Sequence, residues 1–477
     1  MTNWDPAVAA APHARRRWPI VLAVLAVVVA VIAAGLVVLW WKRGSDLSMR
    51  PDWQPPPETL LSSSMRVQPV PGWHITAAEL GLPDHSRLTT NDNAFQSKPF
   101  IGYLDDRGYF LASTPGAQAP EWWLVGFDAH NGSRLFPAVS LKATTTAPPK
   151  CFLNGPTNVL CLRDGGAAGT AWVIDAQTGA VTFTGPTELR TYPGRLGVEQ
   201  VGIYAVAGTM NEGVYGVGPK AEPTWFVPGK GSADQQYRAR SDFETQSLAT
   251  QTIGGPGSES KVVFSLNDGA VVSPKLDSDR RPLGAVVYPG GFAVEVGGET
   301  GRITSHPDHI LFFDGKGRQL GRADVSGKLA INSLDIPIVT SSSGSTVYTI
   351  DGHPLAEIPR LNAVADATLL GPWLFVDEGK SSGFPEWQQY DLRTGSPGTT
   401  CKFYVGDAVG TDGEVAVLQI NNAGAGFVAK AADLTSCEIL WRLPSRVESF
   451  AQAWRVNTTL VQLSDDGTEL MSLVAPS

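Results

Sequence analysis

Apolar and polar positions along the chain fall into two regimes. From Pro19 to Leu39 the sequence reads "PIVLAVLAVVVAVIAAGLVVL", 21 residues without a charge. A helix of that length spans roughly 30 Å, the thickness of a bilayer's hydrocarbon core. Trp18 stands at one end and Trp40 with Trp41 at the other, where amphipathic rings favour the headgroup region. The pattern predicts a transmembrane helix over 18–41 behind a cytoplasmic tail of 1–17. A cleavable signal peptide would carry a shorter apolar run and a small-residue cleavage site. This run ends instead in Leu-Trp-Trp-Lys-Arg. Residues 42–71, with "RPDWQPPPETLLSSS", read as a Pro-rich tether.

From about residue 72 to 477 the period changes. Short apolar runs alternate with acidic or glycine turns, and no long amphipathic helix stands out. The clear copies are "WLVGFDAHNGSRLF" at Asp128, "AWVIDAQTGAVTF" at Asp175, "WQQYDLRTGSPG" at Asp391 and "FVAKAADLTSCEILW" at Asp433. Weaker copies lie near Gly218, Asn267, Asp314 and Asp351. Their mean spacing, about 44 residues, is that of a β-propeller built from four-stranded blades. An Asp at the first position accepts backbone N–H groups two residues on, and a later Gly such as Gly179 or Gly395 supplies the positive φ that closes the hairpin. Eight such corners predict eight blades, with seven as the alternative count, because residues 230–270 read partly as loop. The final strands, "TTLVQLSDDGTELMSLV", are expected to close the ring with an N-terminal strand such as "GWHITAAEL".

Composition supports a turn-rich β protein. The 477 residues are 43% hydrophobic and 17% charged, with 51 Gly and 35 Pro. A net charge of −9 speaks against a nucleic-acid partner, which calls for a basic surface. Cys151 and Cys161 bracket the turn Asn154-Gly155-Pro156, where an antiparallel hairpin would bring them together. Cys401 and Cys437 fall at equivalent places in neighbouring repeats and could clip them together. A zinc site fails on spacing, since no C-x-x-C occurs and no His lies near. Pairable cysteines beyond a membrane anchor imply an oxidising compartment. The expected location is therefore a single-pass plasma membrane protein with its N-terminus cytoplasmic and its large domain periplasmic.

The form apolar-x-Asp-x-x-Thr-Gly, at Asp175–Gly179 and Asp391–Gly395, resembles the repeat of pyrroloquinoline-quinone-like β-propellers. Asp128 and Asp433 lack the Thr-Gly, and the places where that family sets a Trp hold Phe136, Phe183, Trp225 and Trp441. The layout is similar to that of actinobacterial membrane-anchored propellers. One of these is a polar growth factor that works with the trehalose monomycolate transporter. The resemblance implies a non-catalytic scaffold of the cell envelope, with a lipid transporter as protein partner and a glycolipid as ligand.

The rival reading is an extracytoplasmic enzyme of the quinone type, or one acting on sugars or lactones. The quinone family's active members use adjacent cysteines and a calcium set, which this sequence lacks, so neither cofactor nor metal is expected. "GKSSG" around Ser381 matches a nucleophile elbow formally, but "FPEW" follows where a helix should begin. His306, Asp308 and His309 form a short Pro-containing cluster that reads as an exposed loop, and Asp105-Asp106 and Asp465-Asp466 read as turns. The tryptophans at 122, 123, 225, 373, 387, 441 and 454 are expected between blades, with some lining a face or cavity.

Overall fold

The computed structural model describes residues 52–477 except 89–98, 115–118, 145–146, 166–167, 234–245, 256–258, 273–275, 277–279, 298–306, 332–334, 343, 360–365, 378–384, 407, 420–425 and 445–452. The apolar run of 19–39 and Ser381 lie outside the described residues. Among those described, no helix is long and apolar enough to cross a membrane.

Among the described residues nine antiparallel sheets follow one another along the chain. We number them as blades: 1 over 100–144, 2 over 150–187, 3 over 197–228, 4 over 248–265, 5 over 281–323, 6 over 328–358, 7 over 367–401 and 8 over 408–444. Blade 9 joins three C-terminal strands within 453–474 to Val70–Thr76, which pairs with Glu469–Val474. Eight blades have four strands, and blade 4 has two among the described residues. Phe100–Leu104 touches both Lys150–Leu153 of blade 2 and Ala453–Val456 of blade 9, which closes the ring.

Apolar cores lie between blades, because each sheet buries one face against the sheet before it and the other against the sheet after it. Trp122, Leu124 and Phe136 of blade 1 meet Val159, Cys161 and Trp172 of blade 2. Phe110 and Phe127 meet Trp454 and Val461 across the closure. Trp122 and Trp387 are fully buried, so these tryptophans pack interfaces and do not line a face.

The count of eight is thereby corrected to nine. Each of the eight corners read from the sequence belongs to its own blade, from 1 to 8. The closing blade draws its outer strand from the N-terminus, so no covalent corner between third and fourth strands announces it.

The same arrangement explains the Pro-rich stretch. In blades 1, 2, 7 and 8 the residue after the corner's first position donates its N–H to the turn between the first two strands: Ala129 to Asp106, Ala176 to Thr157, Leu392 to Pro372 and Leu434 to Glu414; in blade 4 Leu266 donates to Ser247, just before Leu248–Ile253. Blade 9 has no such corner, and Ser62 N–H donates to Thr458 O in its place. Leu61 N–H donates to Thr411 O, and Met65 N–H to Asp412 Oδ2 at 2.6 Å. Trp441 Nε1 donates to Met65 O at 2.7 Å, much as Trp73 Nε1 donates to Ala129 O at 2.9 Å. Upstream, Trp53 packs on the core of blades 6 and 7, and Glu58 accepts Gly371 N–H at 3.0 Å. Residues 53–66, expected within the tether, are thus a strap across blades 7, 8 and 9, with Leu61 and Met65 buried. A stretch rich in proline lacks the N–H groups to form a strand, but it still offers carbonyls and apolar side chains to a neighbour.

Candidate functional site

The repeated aspartates are hairpin corners. Asp175 Oδ1 accepts the N–H of Gln177 at 3.1 Å, and the N–H and hydroxyl of Thr178 at 2.7 Å each. Asp128 accepts from His130, Asp314 from Lys316 and Arg318, Asp391 from Arg393, and Asp433 from Thr435 and Ser436. Gly179 (φ 69°) and Gly395 (φ 68°) then turn the chain. A Cβ at Gly179 would lie 2.5 Å from Phe136 of the preceding blade, so an aromatic roofs this glycine. Trp225 sits over Gly269 in the same way.

Blade 6 departs from the pattern. Its first corner position is Thr349, whose Oγ1 accepts His353 N–H at 2.9 Å, and Asp351 sits two residues on and accepts the Thr349 hydroxyl. In blade 4 the corresponding position is Ser265. These bonds make each carboxylate a part of its own turn, with Asp175 Oδ1 alone accepting three local donors. Asp175→Ala should therefore lower stability by about 1 kcal/mol, read as a shift of the denaturation midpoint, with the fold retained.

The same bonds set an acid limit. Hydrogen bonds from Thr178 hold Asp175 below its ordinary 3.8, those from Arg318 and Lys316 do so for Asp314, and those from Ser464 and Thr468 for Asp466. At Asp433 burial opposes the shift, but Ser436, Thr435 and Arg66 outweigh it. Depressed acids contribute their stability in full above the unfolded-state value and lose it as pH falls through the folded one. Burial pushes the Glu295 carboxyl the other way, so that group favours the fold as pH falls through mildly acidic values. The melting temperature should hold its plateau down to about pH 4 and drop below it, as a pH series of thermal scans will show.

Both disulfides are present: Cys151–Cys161 across the first hairpin of blade 2, and Cys401–Cys437 between blades 7 and 8, with Cα atoms 4.0 and 5.2 Å apart. Of the histidine cluster, His306 lies outside the described residues. Asp308 is ion-paired to Arg280, while His309 is buried, and burial followed by the charges of Arg322 and Arg280 lowers its pKa. The structure thus sends these two side chains to different environments. Among the described residues no group of three metal-ligating side chains forms. Asp106 accepts Asn457 Nδ2 at 2.7 Å, tying blade 1 to blade 9.

A cleft of about 570 Å³ opens on the face that carries these corners, between blades 4 and 5. Its walls are Gln246, Ser247 and Leu248 at the start of blade 4, the turn Val287–Gly291 and the corner Asp314–Arg318 of blade 5. Gly290 (φ 86°) makes that turn tight. The Asp314 carboxylate is occupied by Lys316 N–H at 3.0 Å, Arg318 N–H at 2.9 Å and Arg318 Nε at 3.1 Å. Gln246 Nε2 donates to Leu248 O at 2.6 Å. The Tyr288 hydroxyl and Gln246 Oε1 are buried with no hydrogen-bond partner among the described residues. Tyr288 is 2% exposed, and burial pushes its hydroxyl pKa far above the ordinary value, so it stays a neutral donor.

The conjugation-associated 9-bladed β-propeller family model matches residues 45–476. The chain belongs to that family. An uncharacterised protein of Mycolicibacterium smegmatis strain MKD8 is 40% identical over 482 residues, which cover 98% of each chain. Among solved structures, BamB from Moraxella catarrhalis is 12% identical with a TM-score of 0.32, over 85% of this chain and 97% of that one. A eukaryotic initiation factor is 11% identical with a TM-score of 0.43, over 74% and 89%.

For this conjugation-associated propeller, the residues that line the cleft carry no sequence motif. "GKGRQLG" at Gly315 is a turn, as its sequence suggests, and "YPGG" at Tyr288 is another. The cleft exists because two turns distant in sequence come side by side. A buried tyrosine just before a turn glycine is the only trace it leaves in the sequence.

Proposed function

We propose that this chain is a non-catalytic, membrane-tethered interaction module of the cell envelope that serves a conjugation apparatus. The observation that carries this reading is the family match, which spans the whole propeller and carries an association with conjugation. The corner aspartates support a binding role, because each accepts N–H groups of its own turn, a structural task repeated from blade to blade. The uncharged run supports tethering by 18–41, and four cysteines paired in two disulfides support a periplasmic location. The partner is an envelope protein. Handling of a mycolate glycolipid with a lipid transporter is a narrower form of the reading; it rests on the resemblance in layout, whereas the family association favours conjugation.

Cross-linking in intact cells, followed by purification of the tagged full chain, tests it. Components of the conjugation apparatus should be enriched over a control membrane protein. Recovery of cytosolic proteins alone, or free thiols at the four cysteines in the cell, would overturn the reading.

A further inference from the structure

We propose that residues 53–66 form a tension-sensitive latch: load on the N-terminal segment detaches the strap, reversibly, while the closing strand Val70–Thr76 stays paired. This rests on the tethering reading above. When a partner holds the propeller and the membrane holds the tether, the strap is the stretch of chain in series between them.

The order of its attachments makes it a latch. Trp53 comes first, against the core of blades 6 and 7, followed by Glu58 on Gly371 N–H. Leu61 N–H on Thr411 O and Ser62 N–H on Thr458 O are next, and then Met65 between Asp412 and Trp441. Load from upstream meets these points before it reaches Val70. They are spread over blades 7, 8 and 9, so none is backed by a neighbour in the same ladder. Pro55, Pro56 and Pro57 add no N–H donors, and a proline run is stiff and extended, so it passes tension on.

The closing strand is held differently. It pairs with Glu469–Val474 through a ladder from Val70↔Val474 to Thr76↔Glu469, and Trp73 N–H donates to Ser472 Oγ at 3.0 Å. Ile75 is buried in the core shared with blade 1. Segments with few, scattered contacts open at lower free energy than a paired strand with a buried face.

Detachment therefore leaves the ring closed and empties a groove. Leu61 and Met65 share one core with Val415, Trp441 and Leu443, so release bares apolar surface on blade 8 whose occupant is the strap itself. That surface draws the strap back when load falls. A strap that only filled the groove would come away together with the ring.

The test is constant-force spectroscopy on the full chain. DNA handles are attached at Asp52→Cys, the exposed start of the strap, and at Lys220→Cys, on the exposed corner of blade 3. The four native cysteines are paired, which leaves these two thiols for the handles. Two steps are expected. The first frees at most about 50 Å of chain, the reach of residues 53–66, and reverses when force drops. The second, at higher force, opens the ring. Trp441→Phe keeps most of the packing but not the bond to Met65 O. It should speed the first step about fivefold at fixed force and leave the second unchanged. A single opening step with no short precursor, or a Trp441→Phe variant that changes both steps or neither, would overturn the proposal. Force enters at residue 52, so neither result depends on what residues 18–41 do. The tethering reading fails on a separate result, recovery of the full chain outside the membrane fraction.

Discussion

Trp441→Ala will lower stability by about 3–5 kcal/mol, among the largest effects of any single substitution in this chain. The indole is 6% exposed in the core shared by Leu61, Met65, Val415 and Leu473. Its Nε1 also holds the Met65 carbonyl at 2.7 Å. Truncation leaves a cavity and releases Met65 of the strap from blade 8, close to where Ser62 stands in for the missing corner of the closing blade. Trp441→Phe keeps most of the packing and loses the hydrogen bond, at a cost nearer 1 kcal/mol. Guanidinium titration gives the magnitudes. Limited trypsin digestion gives the location: Arg66, ion-paired to Glu414 and Asp433, should become a cleavage site in W441A before the propeller unfolds. Resistance at Arg66 in a destabilised W441A would show that the strap does not depend on this contact.

Loss of the Cys401–Cys437 disulfide has the second largest expected effect. It closes a 36-residue separation and joins neighbouring blades, whereas Cys151–Cys161 closes only 10 within one hairpin. Restricting the unfolded chain contributes about 4 kcal/mol for the longer loop and somewhat under 3 for the shorter. The Cys401→Ser, Cys437→Ser double variant should therefore melt lower than Cys151→Ser, Cys161→Ser, both measured under oxidising conditions. The reverse order would mean that loop length does not govern these bridges.

The fold was legible wherever chemistry repeats. Asp128, Asp175, Asp314, Asp391 and Asp433 announce their corners because a carboxylate at the first position of a hairpin accepts the N–H groups behind it. Thr349 and Ser265 do the same work with a hydroxyl, and this disguised the position of the corner in blade 6. The ninth blade escaped the count because its outer strand arrives from Val70–Thr76 and leaves no turn to read. The strap escaped for a related reason: proline-rich sequence signals an absence of regular structure, while Met65 O and Ser62 N–H bind partners hundreds of residues away. The disulfide pairs were readable because a hairpin and a repeat each place their cysteines. The cleft was not readable. Gln246, Tyr288 and Lys316 come together through the packing of two blades, and nothing in their local sequence encodes that neighbour.

The most direct test of the functional account is the frequency of conjugal transfer in a strain that lacks this chain, scored with the strain as donor and then as recipient. The account predicts a fall in at least one arrangement, restored by the full chain. Unchanged transfer in both arrangements would contradict it.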